Sequence, residues 1–169
     1  VWLDDVKTGA ARITVAPIND GERVLHLGAS WRSRYGADDL RSNPIPINDE
    51  RFLYRARGAD LHLANRFIST PQIFDEDTFW GLEGAFVWGP WSVQGEFGQI
   101  SPEVAPNFVG PNPTYNGWYI DASWFITGEM RNYEADEGVF GRTKVKNPVF
   151  GGSRGWGAWQ IAGRYDTID

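Results

Sequence analysis

The chain contains no cysteine, which excludes disulfides and thiolate metal ligands and leaves the redox compartment open. It has no run of about eighteen apolar residues, so no transmembrane helix is expected. The opening Val1-Trp2-Leu3-Asp4-Asp5 offers neither a basic start nor an apolar run. If the protein is exported, its signal is expected to lie outside this sequence. The two histidines, His26 and His62, have no partner spacing for a metal site or a catalytic triad. There is no phosphate-cradling glycine loop and no nucleophile motif, so neither enzymatic activity nor a cofactor is expected. A formal net charge of −6 argues against a nucleic-acid partner.

What the chain does have is an unusual excess of rings and glycines. Nine Trp, six Tyr, ten Phe and twenty Gly occur in 169 residues, yet the mean hydropathy is negative. Soluble cores rely on Leu, Ile and Val. This composition suits a sheet with one apolar face and one wet face. The pattern agrees, because its period is two almost everywhere. Leu25, Leu27, Ala29 and Trp31 alternate with His26, Gly28, Ser30 and Arg32. Trp80, Leu82, Phe86 and Trp88 share a face opposite Glu83, and Gly89-Pro90 then predicts a very tight hairpin into Trp91, Val93 and Phe97. Trp118, Ile120, Ala122, Trp124 and Ile126 form the next stripe. Trp159, Ile161 and Tyr165 form the last, on a strand read from about Gly155 to Asp166. A shorter strand, Ala11 to Ala16, precedes a turn over Pro17-Ile18-Asn19-Asp20-Gly21.

Residues 51–67 admit two courses. Arg51, Leu53, Arg55 and Arg57 share a face, but the parity flips after Gly58, which demands either a bulged strand or a short hairpin. The expected total is roughly seven or eight antiparallel strands of about ten residues. The connections are unequal: two residues at Gly89-Pro90, a Pro- and Asn-rich stretch from Ser101 to Thr114, and a longer one from Glu129 to Arg154. Short turns at one end and long loops at the other favour a membrane barrel. A soluble β-sandwich, including a carbohydrate-binding module with exposed aromatic platforms, is the competing architecture. Phe79-Trp80, Trp88, Trp91, Trp118 and Trp156 are read as flanking turns, as interfacial girdles do.

Three stretches resemble the phosphate-selective porin O and P family: Gly117 to Glu129, Gly138 to Pro148, and Gly155 to Gln160. Ala16 to Gly21 with Leu25-His26-Leu27-Gly28 is similar too, as is Trp88-Gly89-Pro90 followed by Ser92 to Glu96. The resemblance implies an all-β, antiparallel transmembrane barrel of sixteen strands, trimeric, in the outer membrane of a Gram-negative bacterium. It implies that residues 1–169 are an incomplete piece of that single barrel domain, from its middle to late strands, and that the long 129–154 connection is a family feature. The implied function is passive diffusion of small inorganic anions such as phosphate or polyphosphate, with outer-membrane lipid as the surrounding partner. A general-diffusion porin without phosphate preference is the alternative.

With no covalent chemistry and no metal expected, the site residues are those facing water. Arg32 and Arg34 are spaced by two on the polar side of their strand. Arg55 and Arg57 repeat the arrangement with Arg51, and Arg164 lies on the polar side of the last strand. Rows of guanidinium groups would offer a passing anion successive bidentate donors. The resemblance implies a ladder of basic side chains along the pore. Most carboxylates are expected in loops: Asp4-Asp5, Asp38-Asp39, Asp49-Glu50, Asp75-Glu76-Asp77, and Glu134 with Asp136-Glu137. Asp75-Glu76-Asp77 lacks the ligand alternation of a calcium loop and reads as a solvated acidic loop. Arg142, Lys144 and Lys146 form a basic stretch at the periplasmic end.

Overall fold

A strand commits each side chain to one of two faces, and long unbroken alternation therefore makes long strands. A computed structural model of the chain describes residues 6–36, 51–57, 66–106, 108–150 and 155–169, leaving the Phe67 side chain undescribed. Its elements are β1 (Lys7–Asn19), β2 (Arg23–Tyr35), β3 (Arg55–Arg57), β4 (Arg66–Ser69), β5 (Phe74–Trp88), β6 (Trp91–Val104), β7 (Tyr115–Phe125), β8 (Tyr133–Glu134), β9 (Val139–Phe140) and β10 (Gln160–Ile168). Six of them make one sheet in the order β1-β2-β5-β6-β7-β10, and β3-β4 and β8-β9 make two small ones. No helix among the described residues is long and apolar enough to cross a membrane. The all-β, antiparallel architecture stands.

The described chain divides into two compact units. One is drawn from Val1–Ala11, Trp31–Trp80 and Gln99–Asn116, the other from Arg12–Ser30, Gly81–Gly98 and Gly117–Asp169. The second holds the tight connections. Gly89 has φ +52, and Gly followed by Pro fits the two-residue turn whose first position needs positive φ. Gly21, at φ +87, turns β1 into β2. β7 and β10 pair antiparallel, with Ile161 opposite Trp124, Tyr165 opposite Ile120 and Arg164 opposite Asp121.

Burial along the main strands is inverted relative to a soluble sheet. Trp80, Leu82, Phe86, Trp88, Trp118, Ile120, Trp124, Ile126, Trp159 and Ile161 are all exposed, Leu82 by 52% and Trp88 by 62%. Most buried positions have the opposite parity: Val24 and His26 on β2, Asp75, Asp77, Ala85 and Val87 on β5, and Ser92 on β6, with Ser33 and Phe74 as the exceptions. A sandwich would bury the rings. Here Trp91 and Trp124 stack on each other at 4.9 Å and remain exposed.

Several expectations are corrected. Asp75-Glu76-Asp77 is not a loop: it lies in β5, with Asp75 and Asp77 buried. β5 begins at Phe74, so Phe79-Trp80 falls mid-strand and flanks no turn. Glu134 sits in β8, opposite Val139. β1 runs on to Asn19, taking in residues read as a turn. β6 continues to Val104. β10 starts only at Gln160, since Gly157 adopts φ +76 and interrupts the extended chain.

Of the two courses open to 51–67, the described parts take the hairpin. β3 and β4 pair antiparallel, with a register shift between Ala56 and Arg57. Asp4-Asp5, Asp38-Asp39, Asp49-Glu50 and His62 lie outside the described residues.

Strand packing makes Gly95 and Gly163 unequal. A Cβ at Gly95 would sit 2.8 Å from the Tyr119 carbonyl oxygen, whereas one at Gly163 meets nothing within 4 Å. Gly95→Ala should therefore cost roughly 1–3 kcal/mol, read as a lower urea midpoint of the detergent-solubilised protein. Gly163→Ala should leave that midpoint unchanged within error.

Candidate functional site

Because one face of the sheet exposes its large apolar side chains, the polar groups gather on the other. Each unit carries its own polar cluster there.

In the first unit the cluster centres on Asp77. Arg34 donates to Asp77 Oδ2 from Nε at 2.9 Å and again from Nη2, and the Tyr54 hydroxyl donates to the same oxygen at 2.6 Å. Arg32 Nη2 reaches Asp77 Oδ1 at 3.4 Å. Phe52 lies 4.1 Å from the Arg34 guanidinium and Phe79 lies 5.6 Å from that of Arg32, so both cations rest on ring faces. Burial first, then the bond to Asp77, pushes the Tyr54 phenol above its ordinary value, keeping it a donor. Arg51 is buried, with its guanidinium 4.6 Å from the Phe108 ring and its carbonyl accepting from Gln72 Nε2 at 2.9 Å. Arg55 and Arg57 are exposed and lie on the β3-β4 hairpin, outside the six-stranded sheet.

In the second unit the connection between β7 and β10 folds back against the polar face. Tyr133 and Phe140 of the β8-β9 pair meet the His26 ring at 5.5 and 6.2 Å. The Tyr133 hydroxyl lies 2.9 Å from His26 Nδ1, and Glu83 Oε1 lies 3.3 Å from His26 Nε2. Arg12 donates to Glu83 at 2.6 Å and to the Gly138 carbonyl at 3.3 Å. Arg131 donates to Gln94 Oε1 at 2.6 Å and lies 4.1 Å from the Phe140 ring. Burial pulls the Arg131 guanidinium below its ordinary value, against the attraction of the Asp121 carboxylate.

Arg12, His26, Glu83, Gln94, Arg131 and Phe140 line an open cavity of about 210 Å³, together with Glu96. On the same face Tyr119 accepts from Gln94 and donates to Glu96, and Arg164 stacks 3.7 Å from the Tyr119 ring. No group of three or more His, Asp or Glu among the described residues could hold a metal.

The structure thus brings Arg32 and Arg34 together and sets Arg51, Arg55, Arg57 and Arg164 in other surroundings. The sequence reading missed Asp77, Tyr54, Arg12, Glu83 as a partner, and the packing of the start of the 129–154 connection against the polar face. Asp77 was reachable. Stepping back by twos from Glu83, which was read on the polar face, lands on Asp77, but Phe79 interrupts the polar series. Nothing in the sequence pairs His26 with Tyr133 across 107 positions.

The base of the connection is held by Glu129, which is buried. It accepts from the Thr127 hydroxyl and from the Lys146 amide at 3.2 Å, while Lys146 Nζ donates to the Gly128 carbonyl. The Thr127 bond chiefly, then the Lys146 amide, holds the Glu129 carboxyl below the usual carboxylate range. A depressed folded value means this contribution is present above the unfolded carboxyl's range and is lost as pH falls through the folded value. Amide-exchange protection at Lys146 should therefore persist at neutral pH and fall in acid. In Glu129→Gln that acid-dependent step should vanish.

Comparison with known proteins accords with this geometry. The family model described as phosphate-selective porin O and P matches residues 4–169. The chain is 35% identical over 153 residues to an uncharacterized protein of Caulobacter vibrioides, covering 88% of this chain and 27% of that one. It is 29% identical over 178 residues to Porin O of Pseudomonas aeruginosa, covering 98% of this chain and 38% of the relative. The chain therefore spans well under half the length of the curated relatives it matches. On the match over residues 4–169, the chain belongs to the phosphate-selective porin O and P family.

Proposed function

We propose that this chain is part of the wall of a water-filled outer-membrane pore of a Gram-negative bacterium, passing small inorganic anions such as phosphate. The observation that carries the reading is the inverted burial: rings and aliphatic chains exposed, charged groups buried on the opposite parity. Leaving the ten large apolar side chains of the outward stripes in water would cost on the order of 10 kcal/mol, at roughly 1.5–3 kcal/mol for each fully exposed side chain. Hydrocarbon removes that cost, and in a bilayer strands survive only when their backbone groups pair in a closed barrel. The outward Trp88, Trp91, Trp124 and Trp159 near the tight-turn end suit the headgroup layer.

In this reading residues 1–169 belong to a single barrel domain that closes at sixteen strands in a longer protein, assembled as a trimer. The family supports both features. The pore does no covalent chemistry. Its selectivity comes from the field along the wet wall, where a cation attracts anions more strongly than on an open, salt-screened surface.

Planar-bilayer recording with the full-length protein tests this. Under a potassium chloride gradient the reversal potential should lie towards the chloride limit, and added phosphate should reduce the chloride current. Reversing the two exposed hairpin cations together, Arg55→Glu with Arg57→Glu, should lower anion-over-cation permeability roughly twofold, most clearly at low salt. An unselective pore that phosphate leaves unaffected would instead make this a general-diffusion porin.

A further inference from the structure

The arginines of the first unit differ in how much of their charge is already spent. Arg32 and Arg34 leave β2 on the same side, two residues apart, and both face one carboxylate, Asp77 of β5. That carboxylate's side chain is wholly buried, while Arg34 keeps 26% and Arg32 35% of its side-chain surface exposed. Asp77 Oδ2 takes two bonds from Arg34 and one from Tyr54. Oδ1 meets Arg32 at the long distance of 3.4 Å, and Arg32 Nε has no hydrogen-bond partner among the described residues. The Phe52 ring further seats Arg34 in place. A forked guanidinium on a buried carboxylate neutralises it locally. Arg34 is therefore the counter-ion of Asp77, and the surplus positive charge of the cluster rests on Arg32.

We propose that Asp77 is a selectivity-setting residue: it consumes the charge of Arg34 and leaves Arg32 as the cation this cluster presents to anions. What reaches a passing anion is then the net charge of the cluster, not its number of arginines. Tyr54 is a positioning residue, since its hydroxyl fixes the carboxylate without adding charge. The inference rests on the pore reading above, in which this face of β2 and β5 meets the permeating ions.

The test is the anion-over-cation permeability ratio, from reversal potentials of the full-length channel at low ionic strength. It compares wild type, Asp77→Asn, Arg34→Gln and the double variant carrying both. Asp77→Asn exposes a second positive charge and should raise the ratio roughly two- to fivefold. Arg34→Gln leaves Arg32 facing an uncompensated carboxylate and should lower it by a similar factor. The double variant removes one charge of each sign and should return to the wild-type ratio.

A ratio for Asp77→Asn at or below wild type would overturn the proposal, as would a double variant that behaves like Arg34→Gln. Should Asp77→Asn alone fail to insert, the comparison of Arg34→Gln with the double variant decides by itself. A wild-type pore without anion preference would overturn the pore reading, yet the order of the four ratios would still test Asp77. Absence of any conductance would overturn both.

Discussion

Each residue of an extended strand must present its side chain to one face or the other, and in this chain the large apolar set shares one exposed face. That constraint governs the rest of the molecule. Once Trp80, Leu82, Phe86 and Trp88 occupy one side of β5, the residues between them must line the other side, whatever their chemistry. Charged and polar groups are thereby forced into close quarters. The fold consists largely of the ways in which they satisfy one another.

Two arrangements do so. In one unit Asp77 gathers Arg34, Tyr54 and, more loosely, Arg32. In the other, the connection leaving β7 returns over the polar face, and its Tyr133, Arg131 and Gly138 supply partners for His26, Gln94 and Arg12. A buried charge is tolerated only when paired and hydrogen-bonded. The insertion therefore completes the polar face. Glu129 and Lys146 close its base, so that its course is fixed by bonds of its own. The net acidity of the chain is compatible with an anion-attracting surface, because several carboxylates are already committed to specific cations.

Much of this was legible in the residues. The stripes from Trp80 to Trp88 and from Trp118 to Ile126 needed only period-two counting, because large apolar residues recur there at alternate positions on one exposed face. Gly89-Pro90 announced its own turn. The polar face was harder, since Gly, Ala, Val and ions share it, and small buried residues such as Ala85 and Val87 mimic a soluble core. The acidic run at 75–77 looked like a loop because carboxylates in a row rarely pair well with a strand. The partners of Asp77, the arginines of β2 and Tyr54, are distant in sequence. The 129–140 insertion shows no periodicity, because its structure is set by side chains on other strands.

The central claim is that the two faces of the strands see different solvents, and β5 is where it is most directly measured. Single cysteines placed in turn from Phe79 to Trp88 in the bilayer-embedded full-length protein would report each position's environment through a water-borne thiol reagent and a lipid-borne quencher. The account predicts a period of two, with quenching by lipid at Trp80, Leu82, Phe86 and Trp88 and no lipid contact at Glu83, Ala85 and Val87. Equal reagent access on both parities, or lipid contact at the charged face, would contradict it.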